Sequence, residues 1–340
     1  MNSQNIFRLQ QLRKKSFSQP VYFIKTTFYG ANFFEATFSN KVNFTGATFT
    51  KKANFFEATF SKKADFSGAT FSNKADFRSA TFTSNKVKTL FNYVIFEQPN
   101  NVTFSDSNLS KVSFAGSDIA RIRFGDKILW GGIDKFTIIE EEQLEEKPQL
   151  YSLEEVLSVY RNLRESYEFR LRYDDAGKFF IKEMELKRNY RTVSSTNSKD
   201  FEVKKNGLLR RNFSLTGLYH IFSNYGESIW RPTVIGVITV FLSTLLWLTQ
   251  SDPTLQPSFS QNNPSSSNIS NFTGAANFTN TSHLLKSFER SIASFIPLLP
   301  MASDMKVGAI DYIIKIVGGA LTFGLLIIAL RRKFERKYTR

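Results

Sequence analysis

The chain has 340 residues, enough for two or three domains with a buried core, and 41% of them are hydrophobic. It holds no cysteine, which excludes a disulfide framework and thiolate metal sites. Its net charge of +15 comes from dispersed Lys and Arg without a helix-turn-helix, finger or RNA-binding signature, so no nucleic-acid partner is expected and anionic lipid is the simpler one.

Residues 1–19 form an N-terminal segment with no leading hydrophobic stretch for export. From 20 to 125 phenylalanine recurs on a fixed count. Phe23, Phe28, Phe33 and Phe38 fall five apart, and Phe44, Phe49, Phe55, Phe60, Phe66, Phe71, Phe77 and Phe82 then alternate steps of six and five. The rhythm loosens through Phe91 and Phe96 and returns to fives at Phe104, Leu109, Phe114, Ile119 and Phe124. Two residues before most of these stands a small or branched side chain, as in Ala31, Ala36, Val42, Ala47, Ala53 and Val112. This is an internal repeat.

A five-residue period fits neither a helix nor an alternating strand. A coil with corners fits it: each unit makes one short side with Ala and Phe inward, four units close a turn, and turns stack about 4.8 Å apart. Phe33, Phe55 and Phe77 then form one column and Phe38, Phe60 and Phe82 another, with Phe44, Phe49, Phe66 and Phe71 completing the core ladder. Two large side chains per side would not fit, which explains the alanines. An eleven-residue turn also satisfies the spacing. The extra residue in every second unit, at SNK, TKK, SKK and SNK, reads as a widened corner that stacks Lys41 over Lys63 and Lys52 over Lys74.

The stretches ANFFEATF, VNFTGATF, ADFSGATF and ADFRSATF resemble the pentapeptide-repeat proteins, and the resemblance implies a right-handed four-sided β-helix over about residues 20–125. Some members of that family mimic DNA with an acidic surface; lysine corners are the opposite of that surface.

Residues 126–150 read as a cap, Trp130-Gly131-Gly132, followed by a solvated acidic link of Glu140, Glu141, Glu142, Glu145 and Glu146, some of it pairing with corner lysines. Over 151–192 a helical hairpin is expected. It starts at the capping box Ser152 to Glu155, with an apolar stripe of Leu153, Val156, Leu157, Tyr160, Leu163, Tyr167 and Leu171. Asp174-Asp175-Ala176-Gly177 interrupts it, as a turn and helix cap rather than a catalytic pair. A second helix carries Phe179, Phe180 and Met184, with Glu183 placed to pair with Lys187. The wording RNLRESYE and DDAGKFFIKEMELKR resembles the segment joining pentapeptide repeats to membrane helices in microbial fusion proteins. The Ser/Thr/Asn/Lys-rich run 193–207 reads as a flexible connector.

The C-terminal third reads as organised by a bilayer. Residues 208–250 give an interfacial helix, with Tyr225 and Trp230 at headgroup depth, and a first transmembrane span over the uncharged run 233–249. Residues 251–282 form an external Ser/Asn-rich loop with sequons at Asn268, Asn271, Asn277 and Asn280. Residues 283–306 have the position of a re-entrant pore-like helix and loop, and 307–340 of a second span with a basic tail. Positive charge on both flanks, from Lys204, Lys205, Arg210, Arg211 and Arg231 to Arg331, Arg332 and Lys333, places both termini and the β-helix in the cytoplasm of an integral membrane protein with two spans.

The order span, re-entrant helix, span resembles the two-transmembrane ion-channel domain, and ALRRKFER resembles the inner-helix exit of pentapeptide-repeat channel-like proteins. Where a potassium channel has TVGYG this chain reads IPLLPMASDM, so potassium selectivity is not implied. Asp311 and Lys315 are either an interfacial ion pair or lining of a vestibule; Glu289, Arg290 and Asp304 are either rings in an oligomer or simply exposed. Gly318, Gly319 and Gly324 allow a bend or close helix packing. Two helices cannot enclose a pore, so conduction demands a homo-oligomer, four subunits by the resemblance.

The expected function is therefore a membrane-embedded, channel-like protein of unknown ion selectivity whose cytoplasmic repeat domain serves assembly or partner sensing. The alternative is a membrane-anchored scaffold presenting lysine-lined edges to an acidic protein or lipid. No enzyme is expected: the only histidines, His220 and His283, belong to no HExxH, and no GxSxG, P-loop or GxGxxG stands in the right surroundings. No catalytic residue, organic cofactor or metal site is expected.

Overall fold

The structure, a computed structural model, describes residues 6–7, 10–83, 89–132, 134–146, 150–194, 201–249, 276–296 and 314–338. The chain divides into two compact units, the first running to Gly217 and the second from Leu218 to Tyr338.

The first unit begins as a β-solenoid with four parallel sheets, each built from strands of two or three residues contributed by successive turns. Ala31 pairs with Ala53 and Ala53 with Ala75; on the face one corner before theirs, Thr27 pairs with Thr48 and Thr48 with Thr70. Asn32 and Asn54 meet across a separation of 22 residues, so four units make one turn and the eleven-residue alternative is excluded. Strands Ile6–Phe7, Gln10–Gln11 and Ser16–Phe17 belong to the coil, which thus begins inside the segment set apart as 1–19.

The local cause of each corner is legible residue by residue. At Asn32, Asn43, Asn54, Asp65 and Asp76 the side chain accepts the backbone N–H two residues on, at 2.8–3.2 Å, which is an Asx turn. The next residue, Glu35, Gly46, Glu57, Gly68 or Ser79, then takes the left-handed conformation with φ between 51° and 65°. These tight corners alternate with wide ones carrying the extra SNK, TKK or SKK residue. Both breaks in the phenylalanine rhythm, between Phe82 and Thr89 and between Phe96 and Val102, fall on wide corners. Residues 84–88 lie outside the described residues.

Inside, the rings stack in four columns. Centroids of Phe33, Phe55, Phe77 and Phe104 are 4.9, 4.9 and 4.7 Å apart, and those of Phe44, Phe66 and Phe91 are 4.8 and 4.6 Å apart. Phe28, Phe49 and Phe71 follow at 5.0 and 4.6 Å, and Phe38, Phe60 and Phe82 at 5.2 and 5.4 Å. Rings of the columns on opposite faces meet edge to face, as Phe55 and Phe66 do at 90°, so the ring quadrupoles are satisfied across the interior as well as along it. Each such burial is worth roughly 1.5–3 kcal/mol. The second Phe of each FF pair faces outward: Phe34 stacks on Phe56 at 5.6 Å, with Arg13 over one ring and Arg78 over the other.

The last turn is closed by the segment that follows it. Trp130 is buried edge-on to Phe124 at 5.4 Å, and the Tyr167 ring lies parallel to Phe124 on the coil's end. The acidic stretch is not a solvated link. It forms α1 (Ile139–Glu146), and Glu140 is buried where its carboxylate accepts the Phe114 N–H at 2.6 Å and the Ser113 hydroxyl at 3.0 Å, replacing the carbonyl of a missing next turn. Glu142 pairs with the corner lysine Lys111 at 2.8 Å.

Helix α2 (Leu153–Phe169) starts at the Ser152–Glu155 capping box, and α3 (Tyr173–Asn189) returns along it. The turn falls at Leu171, with φ of 61°, so Leu171 leaves the apolar stripe and is 50% exposed. Asp174 and Asp175 lie in the first turn of α3 rather than between the helices, and Asp175 pairs with Arg172 and Lys178. Glu183 is buried and accepts from Lys187 at 2.7 Å and from Arg164 at 2.6 Å. The hairpin docks through side chains: Ser166 donates to the Ile122 carbonyl, Asn162 to that of Ser117, and Arg172 to those of Phe124 and Gly125. The connector 193–207 is corrected as well, since strands Tyr190–Ser194 and Phe201–Lys205 pair antiparallel.

Short helices α4 (Leu208–Phe213) and α5 (Leu215–Ser223) follow, and α5 carries the chain into the second unit. That unit holds α6 (Trp230–Thr249), α7 (Ala276–Phe295), a π-helical turn Ile314–Ala320 and α8 (Leu321–Tyr338). The helix expected from His283 begins at Ala276 and takes in Asn277 and Asn280; Asn268 and Asn271 lie outside the described residues. Tyr225 is fully buried beside Tyr219 and His220, whereas Trp230 is 78% exposed. Among the described residues no helix is long and apolar enough to cross a membrane. The uncharged run 233–249 makes about 25 Å of helix, short of a hydrocarbon core of about 30 Å.

Candidate functional site

The ten ladder phenylalanines, from Phe33 to Phe82, all lie in the solenoid interior and offer no surface to a ligand. What the coil presents outward is set by its corners. One wide corner carries Lys51, Lys52 and Lys74, with the Lys52 and Lys74 carbonyls accepting the Ala31 and Ala53 N–H groups of the turn before, so the two lysines stand one rung apart. The diagonally opposite corner carries Lys41, Lys62, Lys63 and Lys111, with Lys41 and Lys63 in the same relation.

Two of these seven are already neutralised: Lys63 pairs with Asp65 at 2.8 Å, and Lys111 with Glu142. Burial pushes the Asp65 carboxyl up, but the Lys63 ammonium and the Ser67 hydroxyl and N–H outweigh it and hold Asp65 below the usual carboxylate range. Asp76 behaves alike, its burial overcome by Arg78. Lys41, Lys51, Lys52, Lys62 and Lys74 are exposed and take part in none of the ion pairs among the described residues; Lys51 lies over the Tyr29 ring at 5.7 Å. The SNK, TKK and SKK triplets were the signal for them.

The second unit offers a cavity of about 630 Å³ between α6, α7 and α8, lined by side chains such as Val240, Phe288 and Phe323. Sequence reasoning missed it, because its walls come from three segments whose facing was not readable singly. Gly236 and Gly318 let the helices close around it: a Cβ on Gly236 would stand 2.9 Å from the Phe295 ring, and one on Gly318 would stand 2.8 Å from Thr239 Cγ2. Gly318 is thus a packing glycine, while Gly324 faces open space. Glu289 and Arg290 are neighbours on α7, Glu289 exposed and Arg290 half-buried. Lys315 falls in the π-helical turn, and Asp304 and Asp311 lie outside the described residues.

Among the described residues no cluster of His, Asp or Glu is arranged to hold a metal ion. One buried polar group, Ser113, Glu140 and Tyr151 with the half-buried Asn92 beside them, contains two hydroxyls and a carboxylate without an imidazole. Its geometry closes a strand edge.

Residues 16–59 match the family model described as pentapeptide repeats (9 copies). No curated protein and no solved structure matches the chain. The first unit therefore carries pentapeptide repeats wound into a β-solenoid, with helices following it.

Proposed function

We propose that this chain is a pentapeptide-repeat scaffold, attached to a lipid bilayer through its second unit, that presents a lysine corner to an acidic protein surface. The observation that carries the reading is the register of Lys51, Lys52 and Lys74. Lys52 and Lys74 stand one rung, about 4.8 Å, apart with Lys51 beside Lys52, on a rod whose interior fixes their backbone, and like charges so placed repel until an acidic partner meets them. Support for bilayer attachment is the row of exposed Val234, Ile238 and Leu242 on α6, at the i, i+4, i+8 spacing of one helix face and outside the cavity lining.

The test is titration of the full chain with polyglutamate and with phosphatidylserine vesicles. Binding to polyglutamate that weakens steeply with salt and is abolished by Lys51→Glu, Lys52→Glu and Lys74→Glu together is expected. Binding to the vesicles alone would transfer the corner's role to lipid, and binding unaffected by the triple variant would end the proposal.

Ion conduction by a homo-oligomer is the second reading, and it draws on the π-helical turn Ile314–Ala320, a geometry that recurs at functional sites. Against it, the cavity beside that turn is apolar and offers an ion no polar path. Current from the purified oligomer in a planar bilayer would reverse this order of preference.

A further inference from the structure

We infer that the cavity between α6, α7 and α8 takes the hydrocarbon chain of a single long-chain fatty acid. The inference is independent of what the lysine corner binds. Its walls are supplied by Val237, Val240, Leu284, Phe288, Phe323 and Leu326, without a charged side chain among the lining residues. The three hydroxyls that reach the lining are committed to their own helices: Thr233 donates to the Ile229 carbonyl at 2.9 Å, Thr244 to that of Val240 at 2.8 Å, and Thr322 to that of Gly318. A polar ligand would lose its hydration there without regaining donors, so the occupant is apolar.

Shape narrows the class further. The lining follows α6 from Pro232 to Leu245, about 20 Å of helix, a length that suits an extended long acyl chain. A volume of about 630 Å³ along that length accommodates one extended chain with its methylenes against the apolar walls. An apolar groove of this kind gains when a hydrocarbon chain covers it, because water against its walls finds no polar partner. One end has a cation. Arg231, exposed and adjacent to the lining residue Pro232, donates one of its guanidinium N–H groups to the His220 carbonyl at 2.8 Å and keeps the rest of its donor fork for a carboxylate.

The experiment is a fluorescence titration of the full chain, held in an amphipathic polymer free of alkyl detergent, with cis-parinaric acid, a linear fluorescent fatty acid. Saturable binding of one probe per chain is expected, displaced by palmitate and not by pyrene. Val240→Trp, which fills the slot, should lower affinity at least tenfold with an unchanged circular dichroism spectrum. Arg231→Gln should weaken binding of the acid several-fold and leave the chain-matched alcohol unaffected. Absence of saturable binding, equal displacement by pyrene, or a Val240→Trp protein that binds like the parent would overturn the inference. If Val240→Trp does not fold, Leu326→Ala widens the same slot and should shift preference toward bulkier branched acids; an unshifted preference overturns it equally.

Discussion

The two units bury their apolar side chains by different rules. In the solenoid every large side chain that the repeat turns inward is covered by its counterpart one turn away, so that Phe55 is 0% exposed. In the helical unit Phe241, within the uncharged run of α6, is 62% exposed. A repeat supplies its own partner at each rung, whereas three short helices have outer faces that nothing within the unit can cover. Burial in the first unit is a local property of the sequence. In the second it depends on what lies outside.

The largest effect that sharpens this contrast is a ring deletion. Phe66→Ala should cost about 3–5 kcal/mol by urea unfolding, because it opens a hole between Phe44 and Phe91, while Phe241→Ala should stay within about 0.5 kcal/mol. Equal losses would break the comparison. Next comes the cap: Glu140→Ala leaves the buried Phe114 N–H bare and should cost about 1–3 kcal/mol, with Glu140→Gln, which keeps an acceptor, losing less.

A smaller change should follow pH at both extremes. Asp65, Asp76, Asp134 and Glu155 have lowered folded-state values, so their stabilisation is full above the unfolded carboxylate range and is lost as pH falls through it to the lower folded values. Burial pushes the Tyr167 hydroxyl up to about 12, and the sign is then opposite: its contribution is full below 10 and is lost as pH rises toward 12. The thermal midpoint should drop on both sides, and Tyr167→Phe should flatten only the alkaline limb. The smallest expected effect is a gain. Glu57 holds φ of 57° at a tight corner where glycine carries no Cβ clash, so Glu57→Gly should raise stability by up to about 1 kcal/mol, read from the same unfolding curves.

The coil was legible because its period is covalent: a count of five and six closes with Ala and Phe both inward at a turn of 22 or of eleven residues, and the Asn32–Asn54 contact decides for 22. The lysine corners came with it, since an inserted residue has nowhere to go but a corner. Glu140 was not legible, because a run of Glu gives no hint of which carboxylate lies under a strand edge until Trp130 and α1 are placed. The strands at Tyr190–Ser194 and Phe201–Lys205 were hidden by a Ser- and Lys-rich composition, although Val193 and Val203 sit in them. The cavity escaped for a deeper reason. Its walls are contributed by residues nearly a hundred positions apart, and no pattern along one helix encodes which neighbour it will meet.

The alternation of corners has a consequence for how such a chain tolerates change. Corner length varies from turn to turn where an Asx turn does not set the bend, with residues 29–30 after Phe28, 50–52 after Phe49 and 97–101 after Phe96, and the strand register resumes beyond each. Every such elbow is therefore a permissive graft point: a foreign peptide spliced there would be displayed at intervals of one rung along a straight edge, and the ladder beneath would not be rethreaded.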